Sequence, residues 1–469
     1  MIYEKSGMHL LNDLKAEYLS GISSYTELRA QVNTMYGVSI VSGNLVDNSR
    51  SQTSGVNARV YKNGVYGFSS MGEYSDESVK AVIDAAQRNA LFMDRRVNKG
   101  KPPLWDTAPA DFTEKRDFVE IPQKILIDYA KELDEYINGK YPDLASRSVM
   151  IRCDSIERLL RVSNGSRSHS ISPRSCIYVS MTTEASDGSA IELFDIMDCG
   201  KGYFSDLFTE PKELYEKADE LYTRLMAKRD GVFSDAGICD CIIDSSIAGM
   251  IAHEAVGHTV EADLVMAGSV AASKLGCRVA SEKVSITDFA HTAFGKEAPL
   301  PVYVDDEGVV CEDAPLIKDG ILVGYMNNRD SAVNFNMKPQ GNARAFSFSD
   351  EPLIRMRNTA IHPGTDKLSD MIASIDKGYY LTKTMNGQAD TTGEFMFGIT
   401  MGYEIKNGKL GKAIRDTTIS GVAFDMLKTV DMLSDEVAWS SSGYCGKKQP
   451  MPVSDGGPAV KCKVNIGGR

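Results

Sequence analysis

At 469 residues the chain exceeds a single ordinary core, and a prior of about 100 to 200 residues per domain implies two or more domains. Hydrophobic residues at 42% and charged residues at 25% are normal for a soluble globular protein, and no apolar run approaches the roughly 18 to 20 residues that span a bilayer. A net charge of −12 without a long basic run argues against a general nucleic-acid binder, because phosphate contacts need clustered Lys and Arg.

Residues 1–22 mix charge and apolar positions at helical spacing and lack the uninterrupted apolar core of a secretory signal, which predicts a helical opening and a cytoplasmic chain. Strand-like "GVSIVSG" and "VNARVYKNGVYGFSSM" follow, the second turning at Lys62, Asn63 and Gly64 as a hairpin. Ser75 is placed to cap a helix through "SDESVKAVIDAAQRNALFMD". Pro-rich "NKGKPPLWDTAPADF" reads as a surface connection. Beyond it come helical "PQKILIDYAKELDEYI", strand-like "RSVMIRC", "RLLRVSNGSRSHS" and "SCIYVSMTTEAS", and helical "EPKELYEKADELYTRLMAKRD".

Near Asp230 and Gly231 the character changes to strands punctuated by glycine. The expected architecture is α+β. Residues 1–230 form an N-terminal α/β domain with hairpin-rich sheets, and residues 231–469 a C-terminal mixed β-rich domain. In the second, "CDCIIDSSIAGMIAHEAVGH" reads as a strand running into a helix, "DDEG", "IKDGILVGY", "IKNGKLG" and "MNGQAD" mark turns, and "FDMLKTVDML" is helical. The nine cysteines are scattered without a repeated spacing, so reduced thiols are expected rather than a disulfide framework. Alternation puts Cys239 and Cys241 on one strand face as small apolar packing.

The chemistry concentrates in "IAHEAVGHTVEAD", residues 251–263. A zinc-protease helix spaces its histidines four apart as His-Glu-x-x-His; here His253 and His258 are five apart. In a regular helix five steps of about 100° leave the two rings about 140° apart, too far around the axis to share an ion. Asp244 or Ser245 can cap this helix, and its apolar stripe of Ile247, Met250 and Ile251 extends at the same period onto Glu254 and His258, which predicts that both are enclosed. Gly257, a weak helix former, can end the helix or let its last turn loosen into a π-type turn that brings positions five apart onto one side. Two of only six histidines bracket Glu254 and a glycine, so a metal site outweighs a chance pair.

A catalytic zinc needs a third protein ligand and an open position. The candidates are Cys445, His291, His362, His169 and Asp263. Cys445 has the most suggestive setting, with Gly443 and Gly446 permitting close backbone approach and Lys447 and Lys448 favouring the thiolate. Arg355, Arg357 and Asn358 can position a peptide, but "IRMRN" reads more simply as one polar strand face. "DDEG" can bind a second cation, but reads more simply as a turn.

"HEAVGHTVEAD" resembles the motif of the TldD branch of the TldD/PmbA (TldE) family of zinc metallopeptidases, historically called modulators of DNA gyrase. The likeness continues in order through "AGSVAASKLGCRVASEKVSITD", "YVDDEGVVCEDAPLIKDGILVGYMNN", "GNARA", "PLIRMRNTAIHPG", "TTGEFMFGITMGYEIKNGKLG" and "GYCGKKQPMPVSDGGPAVKCKVNIGG", nearly the whole second domain. The resemblance implies that His253, His258 and Cys445 hold one Zn2+ per chain and that Glu254 is the catalytic carboxylate. It implies cleavage of small, extended or unfolded peptides bound by strand addition, and a homodimer or a heterodimer with a TldE/PmbA-like chain. TldE-type members lack the zinc residues, so retention of all four marks a catalytic subunit; a non-catalytic, metal-containing regulatory or binding subunit is the alternative. Thr259 and Ala262 replace the family's usual glycines after the second histidine. Direct contact with DNA gains no support from the acidic composition, no membrane is expected, and the substrate-binding residues stay unknown.

Overall fold

Strand Tyr25–Val41 has two different faces, and they decide how the molecule is assembled. Its even positions Leu28, Ala30 and Val32 are apolar and buried, whereas its odd positions Glu27, Arg29, Gln31 and Asn33 are polar and equally buried. Because side chains alternate along a strand, one face packs under a helix and the other meets a second polar surface. The computed structural model describes residues 11, 13–97, 100, 103–114 and 116–468.

The first sheet has seven strands. Val65–Met71, Asn44–Lys62, Tyr25–Val41, Ser146–Val162 and Arg167–Glu184 run antiparallel in that order, Ala190–Lys201 pairs antiparallel with Arg167–Glu184, and short Asp111–Thr113 joins it in parallel. Asn63 and Gly64 both adopt positive φ, 47° and 87°, the turn that suits the twist of a two-residue hairpin. Ser75 Oγ accepts from the Ser78 N–H at 3.2 Å and starts helix Asp76–Val97. That helix buries Val79, Val82, Ile83, Ala86 and Ala90 on Leu28, Ala30, Val32, Val56, Ala58 and Val60. Helices Gln123–Lys140 and Tyr215–Arg229 cover Val149, Ile151, Ile177, Val179 and Leu193 further along the sheet.

Two sequence expectations change here. The three strand-like pieces between residues 146 and 186 are two long strands, Ser146–Val162 and Arg167–Glu184, reversing where Gly165 takes a φ of 97°. Cys176 and Cys199 stand directly opposite each other on neighbouring strands and are joined as a disulfide, against the expectation of reduced thiols; the partnership follows from register, which cysteine spacing does not encode. The expected helical opening lies largely outside the described residues; Ala16–Leu19 form a single 3-10 turn.

In the second half, five strands close into a small barrel: Lys377–Ala389, Gly237–Ile243, Val460–Ile466, Thr417–Val422 and Glu394–Lys406, the last pairing back to the first. A six-stranded sheet lies beside it, with Ile286–Phe289, Asn358–Ile361 and Ser454–Gly457 adjacent at its centre. The helical segment 245–260 is sandwiched between barrel and sheet. Among the described residues no helix is long and apolar enough to cross a membrane.

The two halves meet through polar groups. Asn57, Gln31 and Asn33 donate to the main chain of Phe348 and Phe346, and Arg29 donates to Ser347 and Asp350. "DDEG" is neither a plain turn nor an open cation site. Asp306 pairs with Arg29 at 3.4 Å and Arg158 at 3.1 Å, and Glu307 pairs with Arg59 at 2.6 Å, Arg59 also holding Glu27 at 2.8 Å. Asp305 accepts from the Glu307 and Val309 N–H groups, closing the turn. Asp306 and Glu307 are thus spent on the junction, and Asp305 on the turn that presents them.

Candidate metal centre

The site begins with a cap. Asp244 Oδ1 accepts from the Ser245 N–H at 2.8 Å and opens helix Ser245–Met250. Gly249 lets this helix lie on strand Ser454–Gly457, since a Cβ there would stand 2.6 Å from Asp455 Oδ2. At Ile251 the backbone widens into a π-helix that runs to Gly257, followed by a 3-10 turn at His258–Val260. The rings of His253 and His258 consequently face each other with centroids 5.2 Å apart.

The part Gly257 plays is packing rather than the loosening of the last turn that was expected. Its φ of −52° and ψ of −51° are ordinary helical values, and the widening spans the whole segment rather than the last turn. A Cβ at Gly257 would stand 2.0 Å from Met356 Sδ. The missing side chain admits Met356, from the irregular link between strands Leu353–Ile354 and Asn358–Ile361, against the helix.

Cys445 arrives on a hairpin, Tyr444–Cys445 paired with Met451–Pro452. Its Sγ lies 3.3 Å from His258 Nε2, and the ligand atoms of His253, His258 and Cys445 all fall within 4.8 Å of one another. A tetrahedral ion with ordinary Zn–N and Zn–S bonds sets sulfur and nitrogen about 3.6 Å apart, so the donor set fits such a metal. His253 is buried at 4% exposure with no hydrogen bond to either ring nitrogen, and a metal bond would satisfy one of them. Burial pushes the Cys445 thiol up, but His253 and His258 outweigh it and hold the thiol well below its usual range. Burial pushes His258 down, but Glu261 and Cys445 outweigh it and raise the imidazole well above its usual value. Glu254 is partly open, its carboxylate oxygens 3.7 Å from His258 Nε2 and 4.0 Å from His253 Nε2.

The other candidate ligands lie elsewhere. His169 bonds Glu157 at 3.0 Å, His362 bonds Thr287 Oγ1 at 2.8 Å, and His291 stacks on Tyr303. Asp263 receives Lys447 at 2.7 Å. Lys447 thus pairs with carboxylates, and Lys448 is exposed, so the histidines rather than the lysines favour the thiolate.

Sequence reasoning missed how the site is supported. Arg355 and Arg357 are wholly buried, not a polar strand face turned to solvent. Arg355 donates to the carbonyls of Cys445 at 2.5 Å, Lys447 at 3.1 Å and Gln449 at 2.8 Å, pinning the hairpin, and Arg357 pairs with Asp288 at 2.8 Å. Their charges are consumed by protein, which removes them as peptide-positioning groups. Burial and neighbouring Glu254 push the Asp455 carboxyl up, with His253 opposing, to about 6. No motif spacing marks Asp455, because packing of strand Ser454–Gly457 against the helical segment is what brings it near the histidines.

Residues 236–468 match the PmbA/TldA metallopeptidase C-terminal domain, and residues 26–90 match domain 1 of the same metallopeptidases. A metalloprotease of Methanothermobacter thermautotrophicus is 30% identical over 461 residues, 95% of each chain. The chain belongs to the PmbA/TldD metallopeptidase family. This peptide hydrolase is also 29% identical to the zinc metalloprotease TldD homolog of Saccharolobus solfataricus, over 90% of its own length and 91% of the relative's. The metallopeptidase shares its fold with the crystal structure of TldE from Thermococcus kodakarensis, at a TM-score of 0.75 and 18% identity over 95% of this chain and 97% of that one.

Proposed function

We propose that this metallopeptidase holds one zinc ion with His253, His258 and Cys445 and hydrolyses small, extended or unfolded peptides with Glu254 as general base. The observation that carries this reading is the convergence of three ligand atoms from two distant segments, with a partly open carboxylate beside them. Zinc held by these three residues would supply a Lewis acid that polarises a peptide carbonyl and lowers the pKa of water. Glu254 takes the water proton and returns it to the leaving amine, a transfer its position between the two rings and solvent supports. A thiolate donates more charge than a third imidazole, so Cys445 would make a bound metal a weaker Lewis acid, and modest turnover is expected.

Tyr444–Cys445 pairs on one side only among the described residues, which supports an extended peptide aligning beside the site by main-chain hydrogen bonds. Residues 231–469, which contain all four site residues, form the catalytic domain and residues 1–230 the N-terminal domain. Family membership supports a dimer with a second copy or with a TldE/PmbA-like chain.

Elemental analysis of the purified chain together with cleavage of an unfolded peptide tests the reading. One zinc per chain is expected, with chelator-sensitive cleavage that falls about 100- to 10,000-fold in Glu254→Ala while the metal is retained. Zinc retained by a wild-type chain that cleaves nothing, even beside a TldE-like partner, overturns it in favour of a regulatory subunit.

A further inference from the structure

Glu261 is wholly buried, three residues beyond His258, and is neither a proposed ligand nor the proposed base. Its Oε2 accepts from His258 Nδ1 at 2.9 Å. The same oxygen lies 3.1 Å from Lys447 Nζ, two residues past Cys445. Lys447 Nζ also donates to Asp263 Oδ1 at 2.8 Å and to the Ile354 carbonyl at 3.1 Å. The chain around Glu261 is itself fixed, since the Ala262 N–H donates to the Met326 carbonyl and the Met326 N–H to the Val260 carbonyl, both at 3.0 Å. One carboxylate oxygen therefore joins the segment that carries His258 to the hairpin that carries Cys445.

We propose that Glu261 is a positioning residue of the metal centre: it fixes the His258 tautomer and, through Lys447, sets the spacing between His258 and Cys445. This rests on the reading of His253, His258 and Cys445 as ligands. The physical ground is that a carboxylate accepting the Nδ1–H leaves the lone pair on Nε2, the nitrogen that faces Cys445 Sγ at 3.3 Å. Without that bond the ring can rotate or change tautomer. Without Lys447 the hairpin keeps Arg355 but loses its tie to the histidine segment.

The test loads the metal-free full-length chain with zinc, in competition with a chromophoric chelator, and with cobalt(II), whose ligand-field and sulfur charge-transfer bands report coordination. Glu261→Gln keeps the size of the side chain and is expected to weaken zinc binding 10- to 100-fold and to shift the cobalt bands, about the loss typical of groups that orient a ligand. Lys447→Met leaves the Glu261–His258 bond in place and is expected to shift the sulfur band with a smaller loss of affinity. A Glu261→Gln chain that binds zinc like wild type with an unchanged cobalt spectrum overturns the proposal, even if its metal-free form melts earlier, because that pattern belongs to a merely structural group. Should Glu261→Gln not fold, an unshifted cobalt spectrum in Lys447→Met overturns it equally. A wild-type chain that takes up neither metal overturns the ligand reading and this proposal with it; wild-type metal binding by the variants overturns this proposal alone.

Discussion

Cys445 and the two histidines hold one another in a charged arrangement before any metal arrives. The thiol is lowered by His253 and His258 against burial, and both imidazoles are raised by the thiolate against burial, His258 by Glu261 as well. A metal needs neutral imidazoles, so its binding must expel protons from the histidines, while the thiolate has none left to give. Below neutrality the imidazoliums compete with the metal; as pH rises towards the raised histidine values the competition fades. Metal affinity is therefore expected to rise with pH from neutrality up to the His258 value, which is raised to about 10, with about one to two protons released per ion. Titration calorimetry in buffers of different ionisation enthalpy measures this. Heats independent of the buffer would show that the site was already neutral.

At the scale of elements, the π-helix at Ile251–Gly257 is what reconciles a five-residue spacing with one shared face. Gly257→Ala sets a methyl against Met356, and such overpacking costs about 1 to 3 kcal/mol. Chemical denaturation of the variant should show that loss, and Met356→Ala in the same chain should recover part of it; a Gly257→Ala chain as stable as wild type would mean that the helix has room to spare. The histidine spacing and the glycine between them were enough to anticipate a π-type turn. They were not enough to give its extent or the contact that excludes a side chain at Gly257, because Met356 lies 99 residues further on and only tertiary packing brings it there. The hairpin at Asn63 and Gly64 and the Ser75 and Asp244 caps were legible for the opposite reason, since each is decided by a few neighbouring residues.

Across the whole molecule, the polar face of Tyr25–Val41 and the "DDEG" turn form a buried ionic junction that single-sequence reading could not assemble, since each strand face looks solvent-exposed until its partner is known. The same blindness applied to Arg355 and Arg357, whose alternation suggested a wet edge and whose guanidiniums prove to be internal braces. The α+β class was legible from element types; closure of the barrel was not, since it depends on Lys377–Ala389 pairing with both Gly237–Ile243 and Glu394–Lys406. Arg59→Met would leave Glu27 and Glu307 buried without their cation, a change that costs about 3 to 5 kcal/mol in comparable buried pairs. A drop of that size in the denaturation free energy is expected, with the zinc ligands untouched; a drop below about 1 kcal/mol would mean that water reaches the junction.

X-ray absorption at the zinc edge of the loaded chain bears most directly on the proposed centre. Two nitrogen ligands and one sulfur are expected at about 2.0 to 2.1 Å and about 2.3 Å, the sulfur shell vanishing in Cys445→Ser. A wild-type spectrum with no sulfur shell, or one that Cys445→Ser leaves unchanged, would contradict it.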